Sequence, residues 1–165
     1  MTSNLIKIAK ESDLNIHVSE HFNVDEMICR CGCNQYVVNP YLLSCLEKLR
    51  EKAKIELYNR LQYNPELTSI HVNSWCRCDK HNEEIGGAKN SYHLISNGCL
   101  AVDLIVKNNG IIIPALTTYW LAEQTLLFNG LGIYCNRIHV DVRPFDKYSR
   151  WIHRGNKEIT LKDAQ

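Results

Sequence analysis

Apolar residues recur at helical spacing in two long stretches of the chain. From residue 40 to about residue 57 they fall every three or four positions, and the preceding Asn39-Pro40 pair is typical of a helix start. The same spacing over residues 114–128, opened by Pro114, predicts a second long helix. Shorter helices are predicted at residues 4–11, 25–28 and 78–87.

Other stretches alternate apolar and polar residues or are rich in β-branched residues, as strands are. These segments are residues 69–74, 100–106, 130–135 and 137–142, and the last two are close enough to pair as a hairpin. The order of helices, strand, strand, helix and hairpin predicts an α+β fold with an antiparallel sheet flanked by helices.

Length and composition narrow the class of protein. The 165 residues suit one domain, residues 1–165, on which we expect residues 1–38 to pack as an N-terminal extension with a cysteine-rich loop. A formal net charge of +1 without any basic block argues against a nucleic-acid partner. No apolar run reaches the roughly 18–20 residues that cross a bilayer, so no membrane span is expected. The N-terminus does not resemble a secretion signal, which predicts synthesis in the cytoplasm, where a disulfide framework is not expected.

The polar face of the predicted strand at residues 137–142 carries groups that an ordinary sheet does not need. His139 and Asp141 lie two positions apart, so they share one face of that strand. A further histidine, His93, ends the motif SYH shortly before another predicted strand. A lone histidine is more often structural than a metal ligand. These residues therefore indicate a metal site only if they act together.

Asp103 is the sharper anomaly, since it interrupts the apolar run LAVDL. An unpaired buried carboxylate is costly, so Asp103 should face a metal ion or a cation; a salt bridge to Arg77 or Arg143 is the plainer alternative. Two imidazoles and one carboxylate form the usual three-ligand zinc site, which leaves a position open for water. With Asp141 as a base and Arg77 to stabilise an oxyanion, these residues predict metal-assisted hydrolysis.

Ordered motifs extend along nearly the whole chain. They are VSEHFNVDEMICRCGC at 18–33, SWCRCDKHNEEIGGAKNSYH at 74–93, LAVDL at 100–104, GLGIY at 130–134 and HVDVR at 139–143. In this order the motifs resemble the zinc D-Ala-D-Ala carboxypeptidase and L-Ala-D-Glu peptidase superfamily, and most closely its small phage- or bacterium-encoded branch. The resemblance implies the hedgehog/DD-peptidase fold.

Carried over by position, the resemblance implies three zinc ligands, namely His93, Asp103 and His139. It implies that Arg77 binds a substrate carboxylate or stabilises the oxyanion, and that Ser91 and Tyr92 shape the substrate pocket. The substrates of this superfamily are peptidoglycan stem peptides, cut at D-Ala-D-Ala or between L-Ala and D-Glu. We therefore expect a monomeric, zinc-dependent carboxypeptidase or endopeptidase that acts on the bacterial cell wall or in cytoplasmic recycling.

Two departures from the superfamily pattern bear on the site. Asp103 follows His93 by ten positions, so residues 94–99 are expected to form an enlarged turn beside the metal. Some relatives carry an acid three residues before the last histidine, where this chain has Asn136. We therefore expect His139 on zinc and Asp141 as general base, with the exchange of these two roles as the alternative.

The eight cysteines include a CRCGC motif with Cys29, Cys31 and Cys33. Tight C-x-C spacing suits a metal–thiolate site better than a disulfide within the motif. Two interpretations stay open. The cysteines are packing residues or free thiols, or they form a second, structural metal site with Cys78 or Cys76 as the fourth ligand.

Three function classes follow from these features. The first is a zinc peptidase, the second is a non-catalytic zinc-containing binding domain of the same fold, and the third is an interaction module built on the CRCGC thiols. Arg77 and Asp141 favour the enzyme, because a binding domain needs neither. WIHRG at 151–155 is expected to pack or pair at the sheet edge, and His81 and Trp151 are weaker candidates for the wall of the cleft.

Overall fold

The computed structural model describes residues 6–154 and 157–160. Its helices and strands are, in chain order, β1 (Lys7–Ile8), α1 (Val24–Met27), β2 (Gln35–Tyr36), α2 (Pro40–Leu61), β3 (Thr68–Ser74), α3 (Asp79–Glu84), β4 (Ala101–Asn108), β5 (Ile111–Ile112), α4 (Ala115–Thr125), β6 (Gly130–Ile133), β7 (Ile138–Asp141), β8 (Ser149–Arg154) and β9 (Lys157–Thr160). Single turns of 3-10 helix occur at Glu11–Asp13, Pro65–Leu67, Ile95–Asn97 and Phe145–Lys147. The fold is α+β, which confirms the class predicted from the sequence.

Seven of the described strands form one sheet in the order β3-β4-β7-β6-β8-β9, with β5 paired to β4, while β1 and β2 form a separate pair. The pairs are antiparallel except β6 and β8, which are parallel. The antiparallel sheet predicted from the sequence is therefore confirmed apart from this one parallel pair. After β7 the chain crosses through the turn at Phe145–Lys147 and joins the far side of β6, so β8 runs against β7 and along β6.

The pairing predicted for WIHRG is confirmed, but its position at the very edge of the sheet is wrong. Its described residues lie in β8, which pairs with β6 on one side and β9 on the other. Residue 155 of this motif lies outside the described residues.

The helices cover one face of the large sheet. α2 and α4 pack against each other, with α2 on β3 and α4 on β4, β6 and β7. Alternate residues of β4 and β7 belong to the core beneath them, among them Val102, Leu104, Ile138 and Val140. Because side chains alternate across a strand, the residues between these apolar ones lie on the opposite face. That face carries Asp103 and His139.

The long helix predicted at residues 40–57 is confirmed and extends to Leu61. The side chain of Asn39 accepts a hydrogen bond from the Leu42 N–H at 3.0 Å, which caps the first turn. The helix ends where Gln62 takes a left-handed conformation. Within the described residues, no helix combines the length and the apolar character needed to cross a membrane.

The short helix predicted at residues 4–11 is wrong. Lys7–Ile8 form β1 and pair with Gln35–Tyr36, while residues 4 and 5 lie outside the described residues. The apolar side chains Ile6 and Ile8 are exposed, so no buried face stabilises a helix here. An isolated helical turn without such packing is unfavourable in water.

Candidate metal centre and active site

Two neighbouring strands and one loop bring His93, Asp103 and His139 together. Asp103 in β4 is directly paired with His139 in β7, so the two side chains lie side by side on the open face of the sheet. His93 lies between α3 and β4, where its carbonyl accepts a hydrogen bond from the Arg77 N–H at 2.8 Å. All three residues are buried, with exposures of 3% for His93, 5% for Asp103 and 7% for His139.

The potential ligand atoms of these residues converge. Asp103 Oδ1 lies 3.2 Å from His93 Nε2 and 3.0 Å from His139 Nδ1, and the two nitrogens are 3.2 Å apart. Tetrahedral zinc with ligands at about 2.0–2.1 Å places its ligand atoms about 3.4 Å from one another. The spacing observed here therefore fits three ligands of a single ion.

The outer nitrogen of each imidazole is already held by a hydrogen-bond acceptor. His93 Nδ1 lies 2.8 Å from the Trp75 carbonyl oxygen, and His139 Nε2 lies 2.9 Å from Asp141 Oδ2. Because carbonyl and carboxylate oxygens only accept, both outer nitrogens carry the proton, and the inner nitrogens turn lone pairs towards Asp103. Three acceptors this close repel one another unless a cation or an additional proton lies between them. Nitrogen and oxygen donors in this set suit a divalent metal such as zinc.

The pKa shifts of these groups reflect burial and their contacts with one another. Burial lowers the pKa of His93. Burial also opposes the charged form of His139, but hydrogen bonds with Asp103 and Asp141 outweigh it and raise the pKa of His139. Burial opposes ionisation of Asp103, yet its interactions with the protonated forms of His139 and His93 hold its pKa well below the usual range. The site therefore keeps its carboxylates ionised and attracts positive charge.

Asp141 lies behind His139 rather than in front of it. Its Oδ1 accepts hydrogen bonds from the backbone N–H of Arg143 at 3.0 Å and from Arg143 Nε at 2.8 Å. Its Oδ2 accepts from His139 Nε2 and from Arg143 Nη2. Burial opposes ionisation, but the hydrogen bonds with His139 and Arg143 lower the pKa of Asp141 to about 2.

These contacts argue against the general-base role predicted for Asp141. The residue is fully buried and both oxygens are occupied, so neither faces an open position beside the metal cluster. The exchange of roles with His139 fits no better, since it is His139 that joins His93 and Asp103. The arrangement instead matches the carboxylate–histidine pair that orients a metal-bound imidazole.

Arg77 forms the salt bridge that the sequence offers as an alternative to a metal site. Its Nη2 donates to Asp103 Oδ2 at 3.1 Å, and its Nε donates to Ser74 Oγ at 3.0 Å. Arg137 Nε lies 3.8 Å from the same Asp103 oxygen. Asp103 Oδ1 faces the imidazoles, whereas Oδ2 faces the arginines. Asp103 can therefore ligate a metal ion and keep its salt bridge at the same time.

A cavity of about 510 Å³ opens over this cluster. Its walls include the three positions predicted to contact substrate, Arg77, Ser91 and Tyr92, and also Trp151. The wall also contains four charged or aromatic residues that the sequence does not mark as site residues, namely Tyr134, Arg137, Arg143 and His153. Arg137 and Arg143 alternate with apolar residues in the same stretch as His139 and Asp141, so the sequence could have placed them on the same face as these residues. No comparable pattern marks Tyr134 or His153. His81, a weaker candidate for the wall of the cleft, is not among the described residues that line this cavity.

Aromatic rings pack around the arginine that binds Asp141. The guanidinium carbon of Arg143 lies 4.7 Å from the ring centroid of Tyr92 and 5.3 Å from that of Trp151. The Trp151 ring in turn lies 5.1 Å from the ring of His139. These contacts hold Arg143 in place, because a guanidinium is attracted to aromatic faces.

Two glycines of β6 make room for this packing. A Cβ atom on Gly130 would overlap the Asp141 carboxylate, and one on Gly132 would overlap the Trp151 ring. The side chains of Asp141 and Trp151 therefore lie directly across the bare backbone of β6. GLGIY owes its glycines to close approach rather than to a turn.

The enlarged turn predicted at residues 94–99 forms without separating the ligands. Residues Ile95–Asn97 make one 3-10 turn, and Gly98 and Cys99 both take positive φ angles. The Leu100 N–H then donates to the Tyr92 carbonyl at 2.8 Å, which closes the loop. The longer spacing between His93 and Asp103 is absorbed in this loop.

Six of the eight cysteines fall into two groups, and Cys45 and Cys135 belong to neither. The thiols of Cys29, Cys31, Cys33 and Cys78 lie together, whereas Cys76, the other candidate for this cluster, forms a disulfide with Cys99. The sequence predicts that no disulfide framework forms, and the bond between Cys76 and Cys99 departs from that prediction. Cys76 is buried in the core, whereas Cys78 is half-buried, directly precedes α3 and lies with the other three thiols.

Comparison with known proteins identifies the family. The family model described as Peptidase M15 matches residues 20–142, which include every residue of the three-ligand cluster as well as Arg77 and Asp141. No curated protein and no solved structure was found to match the chain. The matched region covers well over half of the 165 residues. The chain therefore belongs to the Peptidase M15 family.

Proposed function

We propose that this protein is a zinc-dependent peptidase that hydrolyses peptidoglycan stem peptides, as a D-Ala-D-Ala carboxypeptidase or an L-Ala-D-Glu endopeptidase. One observation carries the proposal: His93 Nε2, His139 Nδ1 and Asp103 Oδ1 present acceptor lone pairs to one another within 3.2 Å. A cation would stabilise such an arrangement, and membership of the Peptidase M15 family supports its use in peptide hydrolysis.

The chain's own residues would hold zinc from three sides. His93 and His139 supply the nitrogens, and the Trp75 carbonyl and Asp141 keep each ring in the required tautomer. Asp103 supplies one oxygen, while Arg77 stabilises the charge on its other oxygen. A zinc ion in such a site provides a Lewis acid and makes a bound water more acidic.

Arginines in the cavity wall support an anionic peptide as substrate. Arg77 and Arg137 both approach Asp103 Oδ2, and both line the cavity. Asp103 is the only carboxylate residue among the described wall residues, so positive charge exceeds negative charge around the opening. We assign the carboxylate of the stem peptide to the Arg77–Arg137 pair, with Ser91 and Tyr92 beside it.

Proton transfer needs a base that faces the cavity, a position that Asp141 does not have. His153 lines the cavity from β8, and its ring stacks on Tyr134 with 5.0 Å between centroids. Apart from the two ligand histidines, it is the only imidazole in the described part of the wall. We therefore assign acceptance of the water proton to His153, and orientation of His139 to Asp141.

Synthetic stem peptides test the proposal directly. We expect the zinc-loaded protein to cut a pentapeptide ending in D-Ala-D-Ala, and mass spectrometry of the products distinguishes loss of D-Ala from cleavage after L-Ala. The His93→Ala variant should lose both zinc and cleavage.

A non-catalytic binding domain is the second candidate, because no carboxylate other than Asp103 lines the described part of the cavity. Tight zinc binding with peptide binding but no product after prolonged incubation would favour this candidate over the peptidase.

A further inference from the structure

The four thiols outside the catalytic cavity form a compact cluster. Cys31 Sγ lies 3.5 Å from Cys29 Sγ and 3.6 Å from Cys78 Sγ. With Cys33 included, all four sulfur atoms lie within 4.8 Å of one another. Four thiolates around zinc at about 2.3 Å lie about 3.8 Å apart, so the cluster already approximates that tetrahedron.

Backbone N–H groups point at these sulfur atoms. The Cys78 N–H donates to Cys29 Sγ at 3.3 Å, and the His81 N–H donates to Cys78 Sγ at 3.4 Å. Such bonds disperse the negative charge that four thiolates would bring to one ion. The cluster therefore has a supporting layer of donors of the kind that metal ligands use.

The loop that carries three of the thiols is shaped to bring them to one side. Gly32 and Asn34 both take positive φ angles, which turns the chain sharply between and after the cysteines. The Cys29 N–H donates to the Gln35 carbonyl at 2.8 Å and closes the loop. Cys29 is buried whereas Cys31 is exposed, so the cluster reaches the surface, where an ion can enter.

Two disulfides explain this arrangement less well than one ion does. Cys31 is nearly equidistant from Cys29 and Cys78, so the thiols do not divide into two pairs.

We propose that Cys29, Cys31, Cys33 and Cys78 bind a second, structural zinc ion. This ion fastens the N-terminal loop at residues 29–33 to Cys78, the residue that precedes α3. Cys78 follows Arg77 directly, so the same ion anchors the segment from which Arg77 reaches Asp103. The thiolate zinc is independent of the peptidase proposal, because its ligands include none of the residues of the His93 cluster.

Zinc content of the purified full chain tests this site. We expect about two zinc ions per wild-type chain, one in His93→Ala, one in Cys31→Ser and none in the double variant. Cys135→Ser is the matched control, since Cys135 is an exposed free cysteine outside the cluster, and it should keep two. One zinc in the wild type with no loss in Cys31→Ser would overturn the proposal.

Cobalt substitution keeps the test decisive even if Cys31→Ser fails to fold. Wild-type protein loaded with cobalt(II) should show strong sulfur-to-metal charge-transfer absorption, and His93→Ala should retain it in full. Absence of this absorption in the wild type overturns the thiolate site whatever the zinc content. Its loss in His93→Ala would likewise contradict two separate sites. Neither result bears on whether the wild-type protein cleaves peptides, so the two proposals fail separately.

Discussion

The two clusters of potential metal ligands differ in what holds them in place. His93, Asp103 and His139 are buried, two of them lie on paired strands, and each has a second contact that fixes its side chain. The four thiols lie on loops, partly exposed, with backbone N–H groups as their support. The first cluster is pre-organised by the sheet and needs an ion for its chemistry. The second would need an ion to hold the loop itself.

Substitution of a ligand in the sheet cluster should have the largest effect. His93→Ala removes one of three ligands, and we expect hydrolysis to fall by more than about a thousandfold, since metal catalysis contributes several kcal/mol to the transition state. Zinc analysis and peptide cleavage on the same sample measure both losses. His17→Ala, at an exposed histidine, is the control. Full activity in His93→Ala would refute the catalytic metal site.

The proposed base should have the next largest effect. His153→Gln is expected to lower kcat about a hundredfold, in the range of general base catalysis, while zinc content stays unchanged. His71→Gln, at an exposed position of β3, is the control. An unchanged kcat in His153→Gln would remove this residue from the mechanism.

Asp141→Asn distinguishes orientation from base catalysis. If Asp141 orients His139, zinc affinity should fall by about 10–100-fold, and added zinc should restore most of the activity. Competition with a chelator measures the affinity. If activity stays lost at saturating zinc, Asp141 acts on the reaction itself and its assignment as an orienting residue is wrong. Asp146→Asn, on an exposed turn, should change neither quantity.

The smallest expected effect concerns the hydrogen bonds that join Ser19 and His21 of the N-terminal segment to Glu47 of α2. Glu47 Oε1 accepts hydrogen bonds from Ser19 and from the His21 N–H, and Oε2 lies 2.7 Å from His21 Nδ1. Burial opposes ionisation, but the hydrogen bonds with Ser19 and His21 lower the pKa of Glu47. We expect Glu47→Gln to reduce the free energy of unfolding by about 1–2 kcal/mol at neutral pH.

The pH dependence of that difference follows from the direction of the shift. Because the carboxyl pKa is lower in the folded state, its stabilisation is present above the usual carboxyl range and is lost as the pH falls through it and below. Denaturant unfolding at several pH values should therefore show wild type and Glu47→Gln converging in acid. Glu51→Gln, one turn further along α2 and half exposed, should show little difference at any pH. A constant difference down to strongly acidic pH would contradict this account.

The sequence predicts the parts of this molecule that depend on local patterns. Strand alternation places His139 on the polar face, and the interruption of an apolar run marks Asp103. Their partner His93 is harder to find, because it lies on a loop and its approach to the strands depends on a turn with two positive φ angles. Only the ordered set of motifs indicates that the three residues meet.

Contacts between distant side chains are what the pattern could not supply. Asp141 has the spacing of a catalytic acid, but its orientation depends on Arg143, which binds both of its oxygens. The parallel pairing of β8 with β6 likewise depends on a connection from β7 past β6 that leaves no periodic signal. The segment Lys7–Ile8 was predicted as a helix because two apolar residues in a short stretch fit either period.

The bare backbone of β6 limits how the cavity can be altered. Since Gly130 and Gly132 leave no space for a methyl group, the floor of the cavity cannot be enlarged or reshaped from this strand without displacing Asp141 or Trp151. The wall that contains Ile85, Ala88 and Asn90 can be varied at these three side chains, whereas Gly87 among them is restricted in the same way, because a Cβ atom there would overlap Asn82. Attempts to change which peptide is accepted should therefore vary that wall and leave the strand untouched.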